Sequence, residues 1–212
     1  EDAAEALGSK YNGQNAGTIA DIGCYSFNGN KIISTGGGGM VVAKEQQLID
    51  KLKHLSTTAK TDPLRYYHDE VGYNYRLVNI LSAIGVAQLE QLQSFIARKI
   101  EISKFYRQSL DNVGDINFQH IPNNVISNEW LFTITTSKME PLLKYLNEND
   151  VMSRPFWVPM NQLPMYKNCA YISNIDASKK VHSKALSIPC STGIHNDELD
   201  EVVLKIKTFF NN

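Results

Sequence analysis

The chain has 212 residues, of which 42% are hydrophobic and 20% charged, enough apolar material to bury the core of one domain or two small ones. Its 21 basic and 22 acidic residues are mixed along the sequence and leave a net charge of −1. No electrostatic field would therefore draw the chain to nucleic acid or to an anionic membrane, and no apolar run reaches membrane-spanning length. We predict a globular protein without nucleic-acid or membrane partners.

The cysteines and histidines argue against a disulfide framework and against a metal site. Cys24, Cys169 and Cys190 are an odd number, and neither they nor the five histidines have the spacing of metal ligands. Free thiols suit a reducing compartment, so we predict a cytoplasmic protein without a metal. The chain also starts without methionine and inside a motif, so we expect it to be part of a longer protein.

The first half of the chain is predicted to alternate turns, short strands and a helix. Asp2 should lie at a strand end, followed by a helical turn over Ala3 to Leu7. Strand residues are concentrated at Ile22 to Phe27 and at Met40 to Ala43, and the apolar spacing over Gln46 to Leu55 predicts a helix. Ser56 to Arg76 is polar, rich in tyrosine and irregular. A loop of that length in a compact protein is usually functional or disordered.

The second half begins with sustained helical periodicity over Leu77 to Leu110, which predicts one long helix or a kinked pair joining two domains. The same reasoning gives the remaining elements: a strand at Asn128 to Thr136, a helix at Lys138 to Asn149, a strand at Val151 to Ser153, a helix at Ala177 to Leu186, an extended piece at Ser187 to Pro189, and a last helix, Asp197 to Phe210, capped by Asn196. This alternation predicts a small α/β domain.

Lys31 stands between the end of a strand and a run of four glycines, Gly36 to Gly39. Asn28-Gly29-Asn30 is a strong turn signal, so the lysine should emerge where the strand ends. Glycines there adopt positive φ freely and let the backbone approach a ligand closely. A lysine enclosed in such a pocket can act as a covalent nucleophile and then as a general base. A lysine in a glycine-rich turn is usually a solvated surface residue, so the motif alone does not establish a catalytic role.

Three blocks flank or contain Lys31 in a fixed order: EDAAEALG at residues 1–8, SFNGNK at 26–31 and GYNYR at 72–76. Together they resemble the sugar aminotransferases of the DegT/DnrJ/EryC1/StrS family. The resemblance covers nearly all of the chain but only the C-terminal part of a family member. It implies an α/β fold of the PLP-dependent transferase fold type I, like aspartate aminotransferase. Residues 1–90 would complete the PLP-binding large domain with its mixed sheet, and residues 91–212 would form the small C-terminal domain.

The resemblance also implies the cofactor, pyridoxal 5'-phosphate, and the residues that bind it. Lys31 matches the lysine that forms the Schiff base and later moves the proton, and Asp2 matches the carboxylate that pairs with the pyridine nitrogen. An aspartate before a helical turn could instead be an N-cap. Ser26 matches a hydroxyl that donates to the cofactor phosphate, and Asn74 matches a residue that reaches the phosphate of the neighbouring subunit, which implies a homodimer with shared sites. Glu5 stands where relatives often have glutamine or histidine, so either a cofactor contact or a surface glutamate remains open.

Substrate contacts are expected from Asn28 and from the segment that begins at Arg154. An arginine can bind a diphosphate or a carboxylate with two hydrogen bonds, and Trp157 could cover a sugar or a base. Phe156 and Trp157 could equally be core residues.

The reaction implied by the resemblance is transamination of a nucleotide-linked 4-keto-6-deoxy sugar, with glutamate as amino donor, in surface polysaccharide biosynthesis. Some relatives carry histidine in place of the lysine and dehydrate sugars, so Lys31 favours transamination over dehydration. A catalytically incompetent fragment that serves as a structural or dimerisation partner is the other alternative. We expect the chain by itself to lack turnover, because the upstream half of a family member supplies the other side of the pocket.

Overall fold

A computed structural model gives the fold of the chain and describes residues 1–211. The chain forms two compact units. The first contains Glu1–Ala97 and Ile121–Trp130, and the second contains Arg98–His120 and the chain from Leu131 onward. No helix among the described residues combines the length and apolar character that crossing a membrane requires. None of the three cysteines forms a disulfide, as predicted.

The elements follow one another in the order of the chain. The strands are β1 (Lys10–Tyr11), β2 (Gln14–Asn15), β3 (Ile22–Ser26), β4 (Gly39–Ala43), β5 (Lys60–Asp62), β6 (Tyr67–His68), β7 (Asn117–Phe118), β8 (Val125–Ile126), β9 (Phe132–Thr135), β10 (Arg154–Pro155) and β11 (Ala185–Ile188). The helices are α1 (Gln46–Ser56), α2 (Asn79–Glu90), α3 (Leu92–Ser109), α4 (Met139–Glu148), α5 (Ala177–His182) and α6 (Asn196–Asn211), with 3-10 turns at Met160–Gln162 and Pro164–Tyr166.

The first unit is built around the antiparallel hairpin of β3 and β4, which pair along their whole length. The segment Glu1 to Ala3 lies parallel to β3 on its other side, with Asp2 paired to Cys24. Backbone hydrogen bonds of 3.0 Å from Cys24 N to Glu1 O and of 2.9 Å from Ala3 N to Cys24 O fix this register. Elsewhere in the unit, β1 pairs antiparallel with β2 and with β8.

The two faces of β3 differ in burial because successive side chains of a strand point to opposite faces. Tyr25 and Phe27 are each 8% exposed. The Tyr25 hydroxyl donates to Ala16 O at 2.6 Å, and burial raises the pKa of Tyr25. Cys24 and Ser26 lie on the other face. Residues paired across a parallel ladder share a face, so Asp2 lies on the same side of this small sheet as Cys24 and Ser26.

The predicted helices of the first unit are confirmed. Gln46 to Ser56 is helical, one residue longer than its apolar spacing predicted. The periodic stretch from Leu77 to Leu110 is a pair of helices, α2 and α3, which meet at Gln91. The predicted loop from Ser56 to Arg76 is irregular apart from the short hairpin of β5 and β6.

The second unit is a four-stranded antiparallel sheet, in the order β10-β11-β9-β7, covered by helices. Its core is formed by fully buried side chains from α3, β9, α4, β11 and α6: Tyr106, Ile134, Leu142, Leu186 and Ile206. Each such side chain contributes about 1.5–3 kcal/mol of burial free energy. The alternation of strands and helices confirms the α/β character expected for this half.

The predicted helical turn over Ala3 to Leu7 is wrong. Two successive turns replace it, with hydrogen bonds of 3.0 Å from Ala6 N to Ala3 O and of 2.9 Å from Ser9 N to Ala6 O. The carbonyl oxygens of Glu5 and Leu7 instead accept hydrogen bonds from the Asn128 side chain. A long-range partner has thus replaced the local helical bonds.

Three boundaries in the second half also need correction. The helix predicted over Ala177 to Leu186 ends at His182, and Ala185–Ile188 is the strand β11, which pairs with both β9 and β10. Short apolar runs fit either type of structure, so neighbouring strands decided the outcome. Val151 to Ser153 precedes a strand, β10, instead of forming one.

The cap of the last helix lies one residue earlier than predicted. His195 N donates to Glu198 Oε2 at 2.7 Å, which is the glutamate half of a capping box. Asn196 is already helical, and its side-chain oxygen accepts a 2.9 Å hydrogen bond from Arg98 instead. The predicted acidic first turn is present, with Asp197 and Glu198 placed favourably for the helix dipole.

Candidate functional site

Lys31 lies in the turn that follows β3, as the strand and turn signals predicted. Its N–H donates to Asn28 O at 3.0 Å, and Asn28 Nδ2 donates to Asn30 Oδ1 at 3.2 Å. Asn30 therefore stabilises the turn. The Lys31 side chain is only 12% exposed, which is unlike a solvated surface lysine.

Two groups hold the Lys31 amine. Nζ lies 3.0 Å from Glu5 Oε1 and 4.1 Å from the centroid of the Trp130 ring. The first contact is an ion pair and the second a cation–π contact, in which the negative face of the indole attracts the ammonium. Glu5 is half-exposed, as a surface glutamate would be, but its carboxylate also binds Lys31.

Asn128 connects the segments that carry these two groups. Its Nδ2 donates to Glu5 O at 2.8 Å and to Leu7 O at 3.0 Å, while its Oδ1 accepts from Trp130 N at 3.1 Å. The side chain of Trp130 is held in turn by a 2.7 Å hydrogen bond from Nε1 to Asn30 O. Asn128 is 5% exposed, so these bonds are shielded from water.

Asn128 and Trp130 were not predicted as site residues, because the residue pattern indicated a strand over both of them. The strand β9 begins only at Phe132, and Asn128 to Trp130 forms a turn in which Glu129 has φ +52°. Serine and asparagine favour turns, and Ser127-Asn128, where the predicted strand begins, was the available signal.

A small cavity beside Lys31 brings three of the predicted residues together. It is lined by Glu5, Ser26 and Lys31, together with Asn128 and Trp130. Ser26 Oγ accepts a 3.3 Å hydrogen bond from Asn28 N, which leaves the hydroxyl proton able to donate.

Asp2 lies on the same face of the sheet as Ser26. Its Oδ1 accepts a 3.1 Å hydrogen bond from Ala4 N. Asp2 therefore caps a turn and not a helix, which is only part of the capping alternative. Within residues 1–211, Oδ2 has no hydrogen-bond partner and remains able to bind a ligand. Amine and hydroxyl therefore line one cavity, the carboxylate lies on the same face of β3, and this set suits a ligand with an aldehyde, a protonated ring nitrogen and a phosphate.

The glycine run is required by the backbone, as predicted. Gly36 and Gly38 have φ values of +79° and +82°, which other residues rarely adopt. A Cβ on Gly39 would lie 2.3 Å from Tyr25 O, across the hairpin. The turn after Lys31 thus depends on glycine both for its conformation and for the close pairing of the two strands.

The remaining predicted residues do not line this cavity. Asn74 is exposed, in an extended segment where Tyr73 and Tyr75 stack at 4.9 Å between ring centroids. In the second unit, Arg154 is exposed at the start of β10, and Trp157 is 55% exposed with its ring edge against Phe156. That exposure argues against the core-packing alternative for Trp157.

One of the five histidines lies among acidic side chains. His54 meets two acidic residues from the loop, and ligand atoms of His54, Asp69 and Glu70 lie within 4.8 Å of one another. His54 Nε2 lies 2.7 Å from Asp69 Oδ1, a hydrogen bond that lowers the pKa of Asp69, and Lys51 already forms an ion pair with Glu70. Spacing among histidines could not show this group, because its other members are carboxylates.

Comparison with known proteins finds a matching family model and individual relatives. The model of the DegT/DnrJ/EryC1/StrS aminotransferase family matches residues 1–207. The GDP-perosamine synthase of Vibrio cholerae is 36% identical over the whole chain, which covers 59% of that protein. A putative pyridoxal phosphate-dependent aminotransferase of Bacillus subtilis, EpsN, is 34% identical over 96% of the chain and 54% of its own length. The chain therefore spans somewhat more than half the length of these relatives.

A solved structure gives the fold independently. The DegT DnrJ EryC1 StrS aminotransferase from Brucella abortus superimposes with a TM-score of 0.91 at 22% identity, covering all of this chain and 57% of that one. This likeness confirms the predicted fold, fold type I of the PLP-dependent transferases.

Proposed function

This chain belongs to the DegT/DnrJ/EryC1/StrS aminotransferase family, and from that membership we propose that it carries the catalytic lysine of a sugar-nucleotide aminotransferase. The proposed reaction converts a nucleotide-linked 4-keto-6-deoxy sugar to the 4-amino sugar, with glutamate as donor, in surface polysaccharide biosynthesis. The observation that carries the proposal is Lys31, a shielded amine at a strand end beside Glu5 and Ser26.

Pyridoxal phosphate is the cofactor of this family, and three side chains of the first unit suit it. When bound, the cofactor supplies a carbonyl carbon that captures amines and a ring that accepts electrons. Lys31 Nζ would bind it covalently and would also serve as the base that moves a proton. The Asp2 carboxylate would hold a proton on the ring nitrogen, and the Ser26 hydroxyl would donate to the phosphate.

The substrate side is assigned to Asn28, Arg154 and Trp157. Asn28 is exposed in the turn that contains Lys31, so its amide can face a sugar. Arg154 forms no ion pair within the described residues, which leaves its guanidinium able to bind a diphosphate through two hydrogen bonds. The exposed indole of Trp157 can cover a sugar ring or a base. The GDP-perosamine synthase relative makes a GDP-linked substrate the first to test.

A homodimer with shared sites is proposed from Asn74, which is exposed and does not line the Lys31 cavity of its own chain. The neighbouring helix α2 supports the same idea. None of its residues is buried in the described chain, and Ile80 and Leu89 are 77% and 49% exposed. An apolar surface of this kind marks an interaction site more often than a solvent face.

Reductive trapping tests the proposal in the intact protein. Borohydride should abolish the visible absorbance of the bound cofactor and leave the adduct on Lys31 by peptide mapping. Lys31→Ala should lose the adduct and reduce turnover by about 10²–10⁴-fold or more, since the base alone contributes that much. Lys104→Ala, which removes an exposed lysine of α3, is the matched control.

Product analysis separates the alternatives. With glutamate and a GDP- or UDP-linked 4-keto-6-deoxyhexose, the protein should release 2-oxoglutarate and a 4-amino sugar. A deoxy sugar that keeps its 4-keto group, formed with 2-oxoglutarate and free ammonia, would indicate a dehydratase, and an absence of cofactor and turnover in the intact protein would indicate a structural partner. An adduct on any other lysine contradicts the assignment of Lys31.

A further inference from the structure

We propose that Glu5 and Trp130 form an ammonium site, defined by the Glu5 carboxylate and the face of the Trp130 ring, which holds Lys31 whenever its amine is not joined to the cofactor. Asn128 is the positioning residue that fixes both sides of this ammonium site. The inference rests on the proposed role of Lys31 and adds the residues that place its amine.

Both groups that contact the Lys31 amine attract a positive charge. The carboxylate oxygen of Glu5 lies 3.0 Å from Nζ, and the Trp130 ring centroid lies 4.1 Å away. Because the lysine side chain is 12% exposed, water and salt screen these contacts less than they screen a surface pair. A lysine has a long flexible stem, and holding it in one place requires partners that are themselves fixed.

Hydrogen bonds fix both partners in a closed chain. Asn128 binds the backbone of Glu5 through Nδ2 and the backbone of Trp130 through Oδ1. The indole Nε1 then binds Asn30 O, in the residue that precedes Lys31. The chain of contacts therefore begins and ends at the lysine, with each link between 2.7 and 3.1 Å apart from the cation–π contact.

Backbone strain supports a functional origin for this arrangement. Glu129, between Asn128 and Trp130, has φ +52°, a left-handed conformation that costs energy in any residue except glycine. Such conformations persist where the surrounding contacts impose them, and they are concentrated at functional sites. Here the left-handed residue turns the chain so that the indole reaches the Lys31 amine.

The ammonium site gives Lys31 a defined position during the part of a catalytic cycle when it is free. The amine is kept close to the cavity, in contact with Glu5, rather than moving through solvent. It must leave this contact to react with any electrophile, so the ammonium site should lower its reactivity towards a soluble reagent.

Competitive acetylation tests this consequence in the intact, cofactor-free protein. Acetic anhydride is added in limited amount, and mass spectrometry compares Lys31 with Lys144, whose side chain is 76% exposed. Glu5→Gln and Trp130→Leu should each raise the relative labelling of Lys31 about fivefold, the factor that corresponds to an ion pair worth about 1 kcal/mol. Trp130→Phe keeps an aromatic face and should recover most of the protection.

A matched control is available on α4. Glu148→Gln removes the exposed partner of Lys144, at 3.7 Å, and should leave the labelling of Lys144 unchanged. If Trp130→Leu does not fold, Glu5→Gln still decides, because its carboxylate is 51% exposed and its removal leaves the packing intact. Equal labelling of Lys31 in wild type and Glu5→Gln overturns the ammonium site.

The result of the acetylation experiment does not depend on the proposed reaction. If Lys31 is protected but borohydride traps the cofactor on another lysine, the catalytic assignment of Lys31 is refuted and the ammonium site is kept. Trapping on Lys31 without protection would refute the ammonium site and keep the reaction.

Discussion

Replacing Asn128 by alanine should destabilise the first unit more than any exposed polar substitution nearby. The change removes two donated hydrogen bonds, to Glu5 O and Leu7 O, and one accepted from Trp130 N. Each such bond contributes about 1 kcal/mol net, and a buried group left without a partner costs about 1–3 kcal/mol. Because Asn128 is 5% exposed, water replaces its side chain poorly, and we expect a loss of about 2–3 kcal/mol.

The two tryptophans allow the first unit to be measured selectively. Trp130 lies in the first unit and Trp157 in the second, so a Trp157→Phe background leaves Trp130 as the only tryptophan reporter. With a urea dependence of about 2 kcal/mol per molar, the expected loss lowers the unfolding midpoint by about 1 M.

A neighbouring asparagine provides the control. Asn124→Ala removes one exposed hydrogen bond, of 3.1 Å to Asn12 Oδ1, and should change stability by less than about 0.5 kcal/mol. Asn128→Asp keeps the size and the acceptor but faces two carbonyl oxygens, so it should destabilise at least as much as alanine. If Asn128→Ala shifts the midpoint no more than Asn124→Ala does, the hydrogen bonds of Asn128 are not what holds the site together.

Two further predictions concern the dimer and the second unit. Mixing Asn74→Ala subunits with Lys31→Ala subunits should restore one intact site per heterodimer, giving about a quarter of wild-type activity in an equal mixture; activity no greater than in either variant alone would mean a self-contained site. In the second unit, hydrogen bonds from Ser137 and Thr136 lower the pKa of Asp115 from 3.8 to about 2, so its contribution to stability is present above about pH 4 and is lost as the pH falls through about 2. Asp115→Asn should therefore lower the free energy of unfolding in urea by about 1 kcal/mol at pH 7. A difference between variant and wild type that stays constant down to pH 3 would show that the ionised Asp115 carboxylate is not its cause.

The sequence alone determined most of the helices and the location of the turn that carries Lys31. Apolar residues at helical spacing create one face that must be buried, so α1, α4 and the pair of α2 and α3 could be predicted from pattern. The glycines after Lys31 were equally predictable, because positive φ at Gly36 and Gly38 is a local steric requirement. These features depend on residues that are close in the chain.

Segments with two possible local structures were decided by their neighbours. Ala185 and Leu186 continue a helical pattern from the preceding residues, yet they form a strand because β9 and β10 offer hydrogen bonds on both edges. Asn196 resembles a cap, but Arg98 binds its side chain and Glu198 binds the residue before it.

The surroundings of the Lys31 amine were decided by tertiary structure alone. The family resemblance pointed to Lys31, Asp2 and Ser26, but nothing local relates Lys31 to Trp130 or Glu5 to Asn128, which are about a hundred residues apart in the chain. A side-chain amide gains most from hydrogen bonds where water is excluded, and burial of that kind exists only after distant segments have packed together. The sequence therefore determined which residue carries the amine, whereas the packing of three segments determined what the amine touches.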